Sequence, residues 1–224
     1  MSVLNTRGAL DAELKNLNEN LTRLTSMVHD ALSTAMDALE KQDYEKARNV
    51  IKGDEEINQL RYTIEQDCLR VLAIQQPQAS DLRRVVVMTH IATELERIGD
   101  HASGISRLQL RMAEEGVVQI ESLHQLPKMG RRVEKMIRES MEAYLSEDVA
   151  LANKVIDRDN KIDRQYGRFT SIMFETMGSE SNTEVRVPTY MLWMAHNLER
   201  IGDRVTNICE RIIFMVTGEW TEVD

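Results

Sequence analysis

Apolar side chains in the N-terminal part of the chain fall at Leu10, Leu14, Leu17, Leu21, Leu24, Val28, Leu32, Ala35 and Leu39, always three or four positions apart. That spacing matches the turn of an α-helix and predicts one long helix with a single apolar stripe, packed in a bundle or coiled coil. Lys41-Gln42-Asp43 is a polar break. A second helix follows, with Ala47, Val50, Ile57, Ile64, Cys68 and Val71 on one face, and runs to Gln75. Gln76-Pro77-Gln78-Ala79-Ser80 reads as a turn. Ser80 is the expected N-cap of a third helix from about Asp81 to about Ala113, and Asp81 suits its N-terminal dipole. Residues 116–127 are the expected linker between a first unit, 1–115, and a second, 128–224.

The second half follows the same plan. Its helices are expected at about Lys128 to Leu145, Glu147 to Gly178, and Glu184 to Thr217, with Pro188 tolerated in a first turn. The hexapeptide Leu-Glu-Arg-Ile-Gly-Asp occurs at 95–100 and again at 198–203. Subtracting Asp100 from Asp203 gives an offset of 103 for the third helices, and subtracting Asp54 from Asp159 gives 105 for the second helices. The same 105 superimposes Ala47, Val50 and Ile57 on Ala152, Val155 and Ile162. The change of offset falls in a turn, where length varies most readily. The expected fold is all-α: two tandem homologous three-helix bundles.

Composition narrows the picture. Aromatic residues are 4% of the chain, with 10 Gly and 3 Pro, which favours long helices over sheets. The net charge of −9 disfavours nucleic acid as a partner. Cys68 and Cys209 are the only cysteines and lack metal-type spacing, so buried thiols are expected rather than a disulfide. The N-terminus has no signal-peptide core, and no apolar run approaches the ~20 residues that cross a bilayer. The expected location is the cytoplasm, with membrane attachment only through a partner.

The acidic positions carry the candidate chemistry. Asp54 sits in the core register of the second helix, with Asn58 one turn along the same face, and Asp159 and Asp163 are their counterparts. The third helices carry Glu96 with Asp100, and Glu199 with Asp203. A hairpin of second and third helices brings two such pairs together in each half. Close carboxylates repel and are costly to bury, and a bound cation removes both problems. An all-oxygen set suits Mg²⁺, Ca²⁺, Mn²⁺ or Fe³⁺. Solvated charges paired with Arg97 and Arg200 are the competing explanation. Gly99 and Gly202 each cost about 1 kcal/mol relative to Ala in a helix, so they imply a close approach or room beside ligands. Asp81, Arg83 and Arg84 are candidate partner contacts, with surface salt bridges as the alternative. Glu121 and His124 have a di-iron-like spacing but no repeat counterpart. No phosphate loop or catalytic triad is present, so no enzyme activity is expected.

Gly53 to Asn58, Gln75 to Val85, Leu95 to Ile105, Asp157 to Tyr166 and Asn197 to Glu210 together resemble the PhoU family of phosphate-signalling regulators over essentially the whole chain. The resemblance implies two homologous three-helix bundles whose Glu-x-x-x-Asp motifs bind iron, zinc or another divalent ion. It transfers that role to Glu96, Asp100, Glu199 and Asp203, with Asp54, Asn58, Asp159 and Asp163 facing them. It further implies a cytoplasmic negative regulator, expected as a homodimer. Its partners would be the ATPase subunit of the high-affinity phosphate ABC transporter and a PhoR-type sensor histidine kinase. A ferritin-like di-metal protein and a metal-free helical adaptor are the rival readings.

Overall fold

The computed structural model describes residues 3–116, 125–179 and 185–219. It contains six helices: α1 Val3–Lys41, α2 Tyr44–Gln75, α3 Ala79–Glu114, α4 Gln125–Ser146, α5 Val149–Ser179 and α6 Arg186–Thr217. The described residues contain no strand. The all-α expectation and the two-fold plan are both met, and within each half consecutive helices pack as neighbours.

Local chemistry explains most of the helix ends. Asp43 caps α2, its side chain accepting the Lys46 N–H at 3.1 Å. Its repeat counterpart Asp148 accepts the Leu151 N–H at 2.9 Å before α5. Gly218 closes α6 at φ +78°, donating its N–H to the Phe214 carbonyl at 2.8 Å. The expected N-cap at Ser80 is not observed. α3 starts two residues earlier, after Gln78, which makes no side-chain capping bond, and Gln76 ends α2 in the left-handed region at φ +45°. The turn is therefore only Gln76 to Gln78, and Ser80 already lies in the first helical turn. α4 likewise starts at Gln125, earlier than Lys128, with Pro127 in its first turn, where a missing N–H costs nothing.

The α1 stripe is buried throughout, from Leu14, Leu17 and Leu21 to Leu24, Val28 and Leu32. It packs against α2 and α3, and α4 packs in the same way on α5 and α6. The halves are not separate beads. One continuous apolar core includes residues of all six helices, and α3 packs on α6 about as extensively as on α2. Arg83 reaches the Met215 carbonyl at 3.4 Å, Arg204 reaches Glu94 at 3.4 Å, and His101 meets Asn197 at 2.9 Å. As the α3 number rises the α6 number falls, so the two helices run antiparallel. Their register sets the two Leu-Glu-Arg-Ile-Gly-Asp phrases opposite each other at the middle of the molecule. Leu95, Ile98, Leu198 and Ile201 are buried there. The acidic members of each phrase turn toward the hairpin partner in their own half.

Candidate metal centre

In the second half, α5 and α6 lie side by side and direct carboxylates into one cleft of 410 Å³. Asp159 and Asp163 come from α5, one turn apart, and Asp203 comes from α6. Each offers an oxygen within 4.8 Å of the others. Asp159 lies deepest: Thr206 donates to its Oδ2 at 3.2 Å, while Oδ1 is shielded from solvent and has no hydrogen-bond partner. Burial, then the nearby Asp163 and Asp203, push the Asp159 carboxyl from 3.8 up to about 7. Burial and Asp203 also raise Asp163. Glu199 stands at the edge of the group, 3.5 Å from His196 and 3.7 Å from Arg200, and Arg200 also holds Asp203 at 3.0 Å.

Gly202 makes this approach possible. A Cβ there would sit 2.3 Å from Asp159 Oδ1, so only glycine lets the carboxylate lie against the α6 backbone. Gly99 plays the apolar version of that role, since a Cβ there would lie 3.2 Å from two carbons of Ile57. Gly202→Ala should therefore weaken cation binding by about tenfold or more, a loss of about 1.4 kcal/mol. The helix-propensity gain of about 1 kcal/mol partly offsets the effect on folding. Calorimetric Mn²⁺ titration of Gly202→Ala beside the parent checks this; equal affinities would refute the cradle.

The first half is built differently. Asp54, Glu96 and Asp100 again gather between second and third helices, and burial followed by Asp100 raises both Asp54 and Glu96. Guanidinium groups answer them. Arg107 lies 3.4 Å from Asp54 and Arg61 lies 3.6 Å from Glu96. Asn58 Oδ1 is buried without a hydrogen-bond partner. Arg97, expected beside Glu96, instead pairs with Glu94 at 3.2 Å. Arg61, Arg107 and Thr206 were not singled out from the sequence. The repeat offsets contain the signal, because they place Tyr166 and Glu210 opposite Arg61 and Arg107.

The PhoU domain family matches residues 21–108 and again 126–212. This chain belongs to the PhoU family. It is 36% identical over 220 residues to the phosphate-specific transport system accessory protein PhoU homolog of Clostridium acetobutylicum, covering 98% of this chain and 99% of that one. It is 35% identical over 216 residues to the phosphate-specific transport system accessory protein PhoU of Escherichia coli, covering 95% and 87%. The crystal structure of the phosphate transport system regulatory protein PhoU from Streptococcus pneumoniae superimposes with a TM-score of 0.88 at 32% identity, covering 96% of this chain and all of that one. PhoU from Pseudomonas aeruginosa gives 0.89 at 32% identity, covering 93% and 99%.

Within the PhoU frame, the second-half donors fit the metal that the family resemblance implies. The observations are the orphaned Asp159 oxygen, the glycine cradle and an all-carboxylate donor set suited to a hard cation. In each half the acidic groups come from two helices, whereas a ferritin-like site draws on four. Glu121 and His124 lie outside the described residues. The three candidate partner contacts are engaged within the chain. Arg7 donates to Asp81 at 2.6 Å, Arg84 pairs with Glu147, and Arg83 bonds the α6 terminus. These pairs tie α1, the α4–α5 turn and α6 to the start of α3.

Proposed function

We propose that this chain is an accessory regulator of a phosphate-specific transport system. It acts in the cytoplasm on the ATPase subunit of the phosphate ABC transporter and on a PhoR-type sensor histidine kinase, and represses the phosphate-starvation response when phosphate is plentiful. The observation that carries the reading is near-full-length similarity, through both repeats, to proteins named as accessory to phosphate-specific transport. None of those names states a reaction, and the acidic clusters need no chemical step: they are structural joints between helices. Among the described residues no helix is long and apolar enough to cross a membrane, which suits a protein that reaches the membrane through partners.

A hard divalent cation, when bound, would supply the positive charge that lets Asp159, Asp163 and Asp203 ionise together. The protein's own part is to hold those carboxylates on α5 and α6, so that the angle between the helices depends on their charge state. The docking faces then follow that angle. The test is affinity purification of the tagged chain from solubilised native membranes at high phosphate, alongside a phosphate-starvation promoter reporter in a strain lacking the protein. Co-recovery of the transporter ATPase and a sensor kinase, with a derepressed reporter, is expected. Recovery of neither from membranes that contain both, with the reporter still repressed, would overturn the reading.

A further inference from the structure

The two halves are related position by position, so a charge that differs between them is a difference in what each cluster can hold. In the first half, Asp54, Glu96 and Asp100 share their space with the guanidiniums of Arg61 and Arg107, and the fourth polar position is the neutral Asn58. At the equivalent second-half positions stand Asp159, Glu199, Asp203 and Asp163. The two arginines are replaced by Tyr166 and by Glu210, which lines the same cleft as Asp159. Of the guanidiniums lining that cleft, Arg200 is held by Asp203 and Glu199, and Arg204 is turned across the interface to Glu94. Among the described residues, only Asp159, Asp163 and Asp203 offer three acidic ligand atoms within 4.8 Å of one another.

We infer that the halves divide the cation task unequally: the α5–α6 cluster takes the hard divalent cation, and in the first half Arg107, backed by Arg61, stands in its place. This rests on the cation reading given above. The Arg107 guanidinium offsets part of the Asp54 charge, which burial and Asp100 still hold above its ordinary value, and any cation entering there must displace that guanidinium. Arg107 also donates to Ser103 at 2.8 Å, which fixes its head beside Asp54. The second-half counterpart of Ser103 is Thr206, whose hydroxyl donates to Asp159 directly, without an arginine between. The first cluster is thus a joint partly compensated by its own arginines, and the second, where Arg200 reaches Asp203 and Glu199 but Asp159 and Asp163 gather with Glu210 instead of Arg107, is one whose charge depends more on the divalent ion supply.

The test is Mn²⁺ binding to the full chain, by equilibrium dialysis with elemental analysis, after chelator treatment. Asp54→Asn with Asp100→Asn should keep the parent's cation content, whereas Asp159→Asn with Asp203→Asn should lose it. Arg107→Glu, checked for helix content by circular dichroism, should add binding that the parent lacks. If the first-half variant loses as much cation as the second-half variant, the division is overturned while the cation reading stands. If the parent binds no Mn²⁺, the cation reading falls and this inference with it. If Arg107→Glu folds and gains nothing, the stand-in role of Arg107 is overturned.

Discussion

Asp159→Asn combined with Asp203→Asn is expected to abolish cation binding and, in the same protein, to raise metal-free stability at neutral pH. Both effects come from one cause, the crowding of carboxylates around a buried Asp159. The native carboxyl holds its proton to about pH 7, against an ordinary value of 3.8. Between those values the folded state binds a proton that the unfolded chain has released, so metal-free stability falls as pH rises through that window. Asp159 keeps partial solvent contact, so the full linkage energy is discounted for screening to about 1–2 kcal/mol. The asparagine pair removes the window and should flatten the pH profile. A cation at a hundred times its dissociation constant stabilises the parent by about 2.7 kcal/mol. For a chain of this size that is roughly 5–10 °C in melting temperature, and the double variant should show none of it. Thermal melts at pH 5 and pH 8, with chelator and with Mn²⁺, decide the matter. A double variant that still gains stability from Mn²⁺, or that keeps the parent's pH slope, would refute this account.

Phe169→Ala should cost about 3–5 kcal/mol, more than any single charge change proposed here. Phe169 lies on α5 at 0% exposure and is the largest fully buried side chain among the described residues. It belongs to the continuous core that joins the halves, and truncation leaves a cavity that rigid helices on several sides close only in part. The melting temperature should drop by about 10 °C. Phe174 is the internal control, because it lies five residues further along the same helix at 61% exposure. Its alanine variant should stay within about 0.5 kcal/mol of the parent. Urea unfolding of the two variants side by side measures the difference. Equal costs would mean that α5 does not bury the face described.

Which parts were legible beforehand follows from the range of the forces involved. The α1 stripe could be read directly, because 3.6-residue periodicity is a local property that burial then respects from Leu10 to Leu39. Asp43 and Asp148 cap helices through contacts three residues long, and the same chemistry pointed to a cap at Ser80 that is absent. There the left-handed Gln76 ended α2 and the chain re-entered a helix early. Local preference pointed to a start after Ser80, and the observed start after Gln78 makes no side-chain capping bond. Duplication made the acidic pairs visible as a set. It also suggested equal clusters, whereas Arg61 and Arg107 stand beside the first-half acids where Tyr166 and Glu210 stand in the second half. Arg61 and Arg107 lie on the same faces as their acids, but without the fold nothing distinguishes a guanidinium aimed into a cluster from one in solvent.

The six helices, their apolar faces, the internal repeat and the acidic positions all follow from spacing along the chain, because each depends on neighbours within a few turns. The antiparallel seating of α3 on α6, the closeness of Asp159 to the α6 backbone and the arginines that answer only the first-half acids do not. They depend on side chains brought together from about 40 to 130 positions apart. Gly202 joins the two levels. Its place in the repeated phrase is plain in the sequence, but its reason is the carboxylate that α5 lays against it, and only the packed hairpin supplies that.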